Sequence, residues 1–188
     1  MSKFEIALKK YIDIFMDQEM YFVNDIKNSE LFHNIPLNTS ADDIRTKLSA
    51  MNDPEVSKDT LLEDVIKHII SLKIDEPIKG GDLSVVDALA NIKAKGKSYH
   101  LLHFASAYCN FHRPDTFPIY SEQHLEFYRQ YIKENKLPLD PEKINTYDVF
   151  SKALNDLVQR IGLTGKMTYL QLRKFGWLYA DSVLKESE

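Results

Sequence analysis

Four of the six histidines, His100, His103, His112 and His124, fall within a stretch of the chain that also holds its single cysteine, Cys109. Imidazoles and thiolates ligate metals, but a catalytic zinc needs at least three convergent ligands and an open position. His100 and His103 are three residues apart and are expected to share one face of a helix, with His112 and His124 at the mouth of the same region. No pair of histidines flanks a glutamate at the spacing of a zinc-binding helix. The expectation is therefore histidines in ordinary hydrogen bonds, with no metal and no cofactor. Cys109 precedes His112 by three residues, a spacing that suggests a thiol and its base, but it lies on a helix that reads as buried, where a thiol is protonated and inert.

Just before that helix come Lys93, Lys95, Gly96, Lys97 and Ser98. A glycine lets a backbone approach a phosphate closely. The N-terminus of a following helix offers unpaired N–H groups with a partial positive charge, and lysines add local charge. After the helix runs Arg113-Pro114-Asp115-Thr116-Phe117-Pro118-Ile119-Tyr120-Ser121-Glu122. Tyr99, Tyr108, Phe111, Phe117, Tyr120, Tyr128 and Tyr131 could stack a nucleobase, or could equally fill a core.

Helix, basic hairpin, buried helix and proline-flanked turn, in that order over roughly residues 83–124, resemble the centre of the helix-hairpin-helix DNA glycosylase superfamily, particularly the bacterial proteins of 8-oxoguanine glycosylase fold. The resemblance implies phosphate contacts from Lys95, Gly96 and Lys97, charge from Lys93, capping of the second helix by Ser98, and a groove bordered by Arg113 and Tyr120. It makes Lys97 the counterpart of the family's catalytic lysine. The family's catalytic aspartate is replaced by Ser121, whose hydroxyl cannot serve as a carboxylate base, and Glu122 is the neighbouring substitute. The implied function is a nucleic-acid-binding protein of glycosylase-like fold without full catalytic machinery. Two alternatives stand beside it. One is a non-catalytic protein-interaction subunit of a bacterial defence or mobile-element system; the other is an active base-excision enzyme using Lys97 and Glu122.

The elements that must position these residues read as helices. Phe4, Leu8, Ile12, Phe15 and Val23 trace one face of a long first helix. Ser40 with Asp43, Thr60 with Glu63, and Thr168 with Gln171 have the spacing of N-terminal capping pairs. Ser84 with Asp87 opens a helix ending near Gly96. A further helix over 98–111 is apolar nearly all round, which places it at the centre of the domain. Ser121 caps the next helix, another ends before Gly162, and Gly176 inside the last one signals close packing by a neighbour. No alternating run bounded by a hairpin turn stands out. The fold class expected is all-α, a compact bundle of about seven to nine helices, as a single domain over 1–188 with an N-terminal subdomain, 1–75, packed on 83–188.

With 188 residues, 44% of them hydrophobic, the chain can bury one sizeable core. Its formal net charge of −4 provides no global attraction for nucleic acid, so binding would rest on a local basic hairpin. One cysteine permits no internal disulfide, which fits a reducing, cytoplasmic setting. No apolar stretch approaches the length of a membrane span. The partners expected are DNA at the hairpin or another protein, and no membrane.

Overall fold

The computed structural model describes residues 2–17, 23–56 and 61–187. Among them are ten α-helices and one two-stranded sheet, so the all-α expectation holds for all but one short segment. The chain divides into two compact units. One takes residues from both ends of the sequence, 1–20 and 118–188, and the other is continuous, 21–117. The division therefore falls elsewhere than between residues 75 and 83.

The continuous unit begins with α2 (Val23–Asn34) and α3 (Ala41–Met51). Ser40 caps α3 by accepting a bond from Asp43 N, and Asn52 closes it in the left-handed conformation at φ 48°. Two further helices, α4 (Leu62–Leu72) and the short α5 (Asp75–Gly80), lead to α6 (Ser84–Ala90). The cap expected from Thr60 lies outside the described residues. Next come β1 (Asn91–Ala94) and β2 (Lys97–His100), then α7 (Leu102–His112). Leu102, Phe104, Ala105, Ala107, Tyr108 and Cys109 of α7 are all buried, as its all-round apolar sequence requires.

The other unit pairs α1 (Lys3–Met16) with α10 (Tyr169–Ser187) and adds α8 (Leu125–Glu134) and α9 (Tyr147–Arg160). The first helix is shorter than its apolar stripe suggests. It ends at Met16, and Val23, which reads as part of that stripe, begins α2; the Val23 side chain lies outside the described residues. Thr168 and Gln171 form the reciprocal capping pair expected of them, with Thr168 N donating to Gln171 Oε1 at 2.8 Å and Gln171 N to Thr168 Oγ1 at 3.3 Å. Aromatic rings knit this interior together. Phe4 meets Phe127 at 5.5 Å, Phe15 meets Phe175 edge-on at 5.8 Å, and Phe150 receives both Tyr120 and Tyr128 at 5.2 Å.

Gly176 explains itself in this setting. A Cβ there would stand 2.7 Å from His124 Nδ1, so the ring of His124 occupies the space a side chain would need. The roughly 1 kcal/mol helix penalty of glycine relative to alanine is the cost of that approach.

Candidate functional site

The segment expected to join two helices at Gly96 is a β-hairpin. Antiparallel pairing runs from Asn91 opposite His100 to Ala94 opposite Lys97. The two-residue turn has both φ angles positive, 49° at Lys95 and 76° at Gly96. This is the turn geometry whose twist matches a pair of right-twisted strands. A Cβ on Gly96 would meet nothing within 4 Å, so the glycine serves the left-handed backbone and no close approach within the chain. Ile92 and Ala94 point into the unit and are buried, alternating with exposed Asn91 and Lys93. That period-2 pattern is the signal in the sequence. It is faint because the strands have four residues each and are rich in Lys, Ala and Asn, which favour strands poorly.

Several expected roles change as a result. α6 ends at Ala90, ahead of Gly96, and α7 begins at Leu102. Ser98 lies exposed in β2, so it caps nothing; the position before α7 is Leu101, with no side-chain cap. His100 and His103 do not share a helix face, since one belongs to β2 and the other to α7. The helix-hairpin-helix geometry that carried the resemblance to DNA glycosylases is absent from residues 83–112. Lys93, Lys95 and Lys97 remain exposed on one ribbon. Arg113 is held at the end of α7, donating to Lys79 O at 2.5 Å.

Tyr120, Ser121 and Glu122 belong to the other unit. Tyr120 is buried edge-on against Phe150 and cannot border an open groove. Ser121 stands before the 3-10 turn Glu122–His124 and is buried, but its hydroxyl makes no cap bond. Glu122 is exposed.

The histidines do not converge. His100 Nδ1 meets Asn91 Oδ1 at 3.0 Å, His103 Nδ1 faces Asp53 Oδ2 at 3.5 Å, His112 Nε2 faces Asn38, and His124 lies against Gly176. Among the described residues no three His, Cys, Asp or Glu side chains are grouped to hold a metal. Cys109 is fully buried, and burial drives its thiol pKa far above the ordinary value.

A constellation that the sequence did not announce lies beneath the loop between α2 and α3. Asn38, 4% exposed, sits at its centre. Its Oδ1 accepts from Lys47 Nζ at 2.8 Å and from Tyr108 O–H at 2.5 Å. Its Nδ2 donates to Asp75 Oδ1 at 2.7 Å and faces His112 Nε2 at 3.2 Å. Both donors and both acceptor lone pairs of the amide are thereby used, and the backbone N–H of Asn38 also donates to Asp75, at 3.1 Å. His112 Nε2 also lies 3.3 Å from Asn38 Oδ1, but with that oxygen already accepting from Lys47 and Tyr108 the pairing that satisfies the amide is acceptance from Nδ2 by a neutral imidazole. Burial first, and the Lys47 charge second, push its pKa down to about 3.

Lys47 is wholly buried, donates a second bond to Leu37 O at 2.8 Å and lies over the ring of Phe32 at 5.4 Å. Burial lowers its pKa to about 8, against the pull of Asp75 and Asp43. Position 47 follows Ile44 by three residues and so falls on the buried face of α3; the loop carrying Leu37 and Asn38 supplies the oxygens that its ammonium needs there.

Above the network opens a cleft of about 310 Å³, floored by Asn38, Asp75, His112 and Phe32 and rimmed by Lys79 and Arg113. The imidazole, the tyrosine hydroxyl and the lysine are all engaged by Asn38, and the carboxylates of Asp75 and Glu76 also line the cleft.

The family match falls mainly on this unit. Residues 7–116 match a family described as the HI_0787_N N-terminal domain. The chain belongs to this family. An uncharacterized protein of Haemophilus influenzae (strain ATCC 51907 / DSM 11121 / KW20 / Rd) is 30% identical over 126 residues, which make up 66% of this chain and 59% of that relative. The chain thus matches about three-fifths of the relative's length. No solved structure matches. The hairpin, Asn38, Lys47, Asp75, Tyr108 and His112 all lie inside the family segment, whereas Tyr120, Ser121 and Glu122 lie beyond it. No helix of the described residues is long and apolar enough to cross a membrane.

Proposed function

We propose that the continuous unit, 21–117, is a nucleic-acid-binding module whose contact element is the basic β-hairpin Asn91–His100. The observation that carries this reading is the exposure of Lys93, Lys95 and Lys97 on one ribbon, within a run from Ala88 to Pro114 that contains no carboxylate side chain. Two-stranded ribbons are narrow enough to enter a nucleic-acid groove. Lysines contribute mainly sequence-independent phosphate contacts that release counterions. The acidic remainder of the chain disfavours broad electrostatic adhesion and confines contact to this edge.

Base excision is not part of the proposal. Lys97 is an exposed hairpin residue and Glu122 an exposed residue at a helix start in the other unit, and neither stands in a buried reaction centre.

Fluorescence anisotropy of a short labelled DNA duplex at two salt concentrations tests it. The wild-type chain should bind in a salt-sensitive manner, and Lys95→Glu/Lys97→Glu should reduce the log–log salt slope by about 2. Both side chains are exposed, so the fold should survive, as circular dichroism will show. Equal binding by wild type and variant would remove the hairpin from the reading. Absence of binding at low salt would remove nucleic acid altogether.

A second reading, a protein-interaction module, is favoured by a different observation. Trp177, the chain's single tryptophan, is 64% exposed on α10.

A further inference from the structure

The cleft above the Asn38 network plays no part in the hairpin reading, yet its walls carry charges that the chain itself does not use. Lys47, held by Leu37 O and Asn38 Oδ1, interacts with the charge of Asp75 and so balances it in part. Glu76, Lys79 and Arg113 are exposed around the opening. Lys79 follows Asp75 by four residues and Glu76 by three, spacings at which opposite charges pair along a helix. Among the described residues neither the Glu76 nor the Lys79 side chain has an ion pair. Arg113 donates to the carbonyls of Lys79, at 2.5 Å, and Ile78, at 3.5 Å, so its bonds carry no counter-charge. Asp75 has capacity left as well. Among the described residues its Oδ2 receives the backbone N–H of Asn38 alone, at 3.2 Å, whereas each oxygen of a carboxylate can accept more than one bond.

The remaining lining is largely apolar. The ring of Phe32 lies on the floor, and Leu37 stands 56% exposed at the edge. That exposure is not slack: the Leu37 carbonyl is bonded to Lys47, and the next residue is the hub of the network. The loop thus fixes an apolar side chain in water beside an opening of about 310 Å³. Small-molecule sites span roughly 300–1,000 Å³ and combine apolar walls with a few placed polar groups, so this cleft suits a ligand at the small end of that range.

We propose that the cleft binds an apolar α-amino acid as its zwitterion. The ammonium is held by Asp75 and Glu76 in the first turn of α5, the carboxylate by Lys79 and Arg113, and the side chain covers Leu37 and Phe32. Both charged groups of an α-amino acid sit on one carbon, and only about 5 Å of helix rise separates the two acids from Lys79, so both ends can be held at once. A ligand with a single charge matches half of this rim: a carboxylate leaves Glu76 without a partner, and an amine leaves Lys79 and Arg113 without one. The proposal does not depend on what the hairpin binds.

Isothermal titration calorimetry of the whole chain tests it, with L-leucine and L-phenylalanine as the probes. At least one should bind with a dissociation constant of about 1 mM or tighter. Isocaproate and isoamylamine keep the leucine side chain with one charge each, as hydrocinnamate and phenethylamine do for phenylalanine. Each analogue should bind at least about tenfold more weakly than its parent, the effect of losing one charged hydrogen bond. Glu76→Gln and Lys79→Gln should each weaken the amino acid about tenfold for the same reason. Both side chains are exposed, and unchanged circular dichroism will show that the variants are folded. Binding of neither amino acid at about 10 mM, or analogues as tight as their parents, would overturn the proposal. So would variants that bind the amino acid as the wild type does, since the ligand would then sit elsewhere.

Discussion

Both units contain ring contacts, such as Phe32 with Tyr108 at 5.2 Å and with Phe111 at 5.3 Å in 21–117, but they differ in what ties the interior together. In 21–117 the loop between α2 and α3 is held by one amide, Asn38, whose four hydrogen-bonding positions connect a lysine, an aspartate, a tyrosine and a histidine from α3, α5 and α7. In the unit of 1–20 and 118–188, rings meet rings: Phe4, Phe15, Phe127, Phe150 and Phe175 take part in a chain of tilted and edge-on contacts. Ring packing tolerates small changes of shape because each contact contributes little and neighbours can shift. A saturated polar network does not, since removing its hub strands buried partners that water cannot reach.

That contrast predicts effects of graded size. Asn38→Leu keeps the branched shape of the side chain but leaves Lys47 and Asp75 without their shared partner; it should cost about 3–5 kcal/mol. Urea unfolding followed by circular dichroism measures this, and a loss below about 1 kcal/mol would show that the network is ornamental.

Acid comes next. Each unit holds one buried imidazole with a depressed pKa, His112 at about 3 and His124 at about 4, burial being the first cause in both. Unfolded histidines bind protons near pH 6.5 that the native ones refuse, so stability is complete above that pH and declines as pH falls toward 4 and then 3. The decline attributable to His112 should reach about 3 kcal/mol by about pH 4. His112→Gln should flatten the corresponding part of a plot of stability against pH, and an unchanged slope would mean that His112 is already charged in the native state.

Gly176→Ala probes the ring side of the contrast where it is tightest. The added methyl meets the His124 ring at 2.7–2.8 Å and should destabilise by about 1–3 kcal/mol. A variant with unaltered thermal unfolding would show that His124 can swing away. Phe127→Leu should have the smallest effect, about 1–2 kcal/mol, despite the complete burial of Phe127. A larger loss than that of Asn38→Leu would reverse the comparison.

How far the sequence anticipates these features depends on the distance over which each is determined. The caps at Ser40 and at Thr168 with Gln171 are settled within four residues, and they are where their spacing puts them. The burial of α7 follows from its own composition. Gly176 correctly indicates a close neighbour, although nothing local reveals that the neighbour is His124. The hairpin defeats a local reading because Val85, Val86, Leu89 and Ile92 continue a helical period into β1. What ends the helix is the inward turn of Ile92 and Ala94, a tertiary preference. Asn38 is less legible still, since its partners lie 9, 37, 70 and 74 positions away. Only the chain's path brings them to one loop.

The discontinuity of one unit has a consequence for synthesis. Residues 21–117 form a continuous unit and can begin to organise as soon as they leave the ribosome. The other unit cannot do the same: Lys10 of α1 pairs with Glu186, 176 positions later. The apolar face formed by Phe4, Leu8, Ile12 and Phe15 finds its partners only in α8 and α10. A nascent chain therefore carries an exposed amphipathic helix while the whole continuous unit is being made, the kind of surface that ribosome-associated chaperones shield.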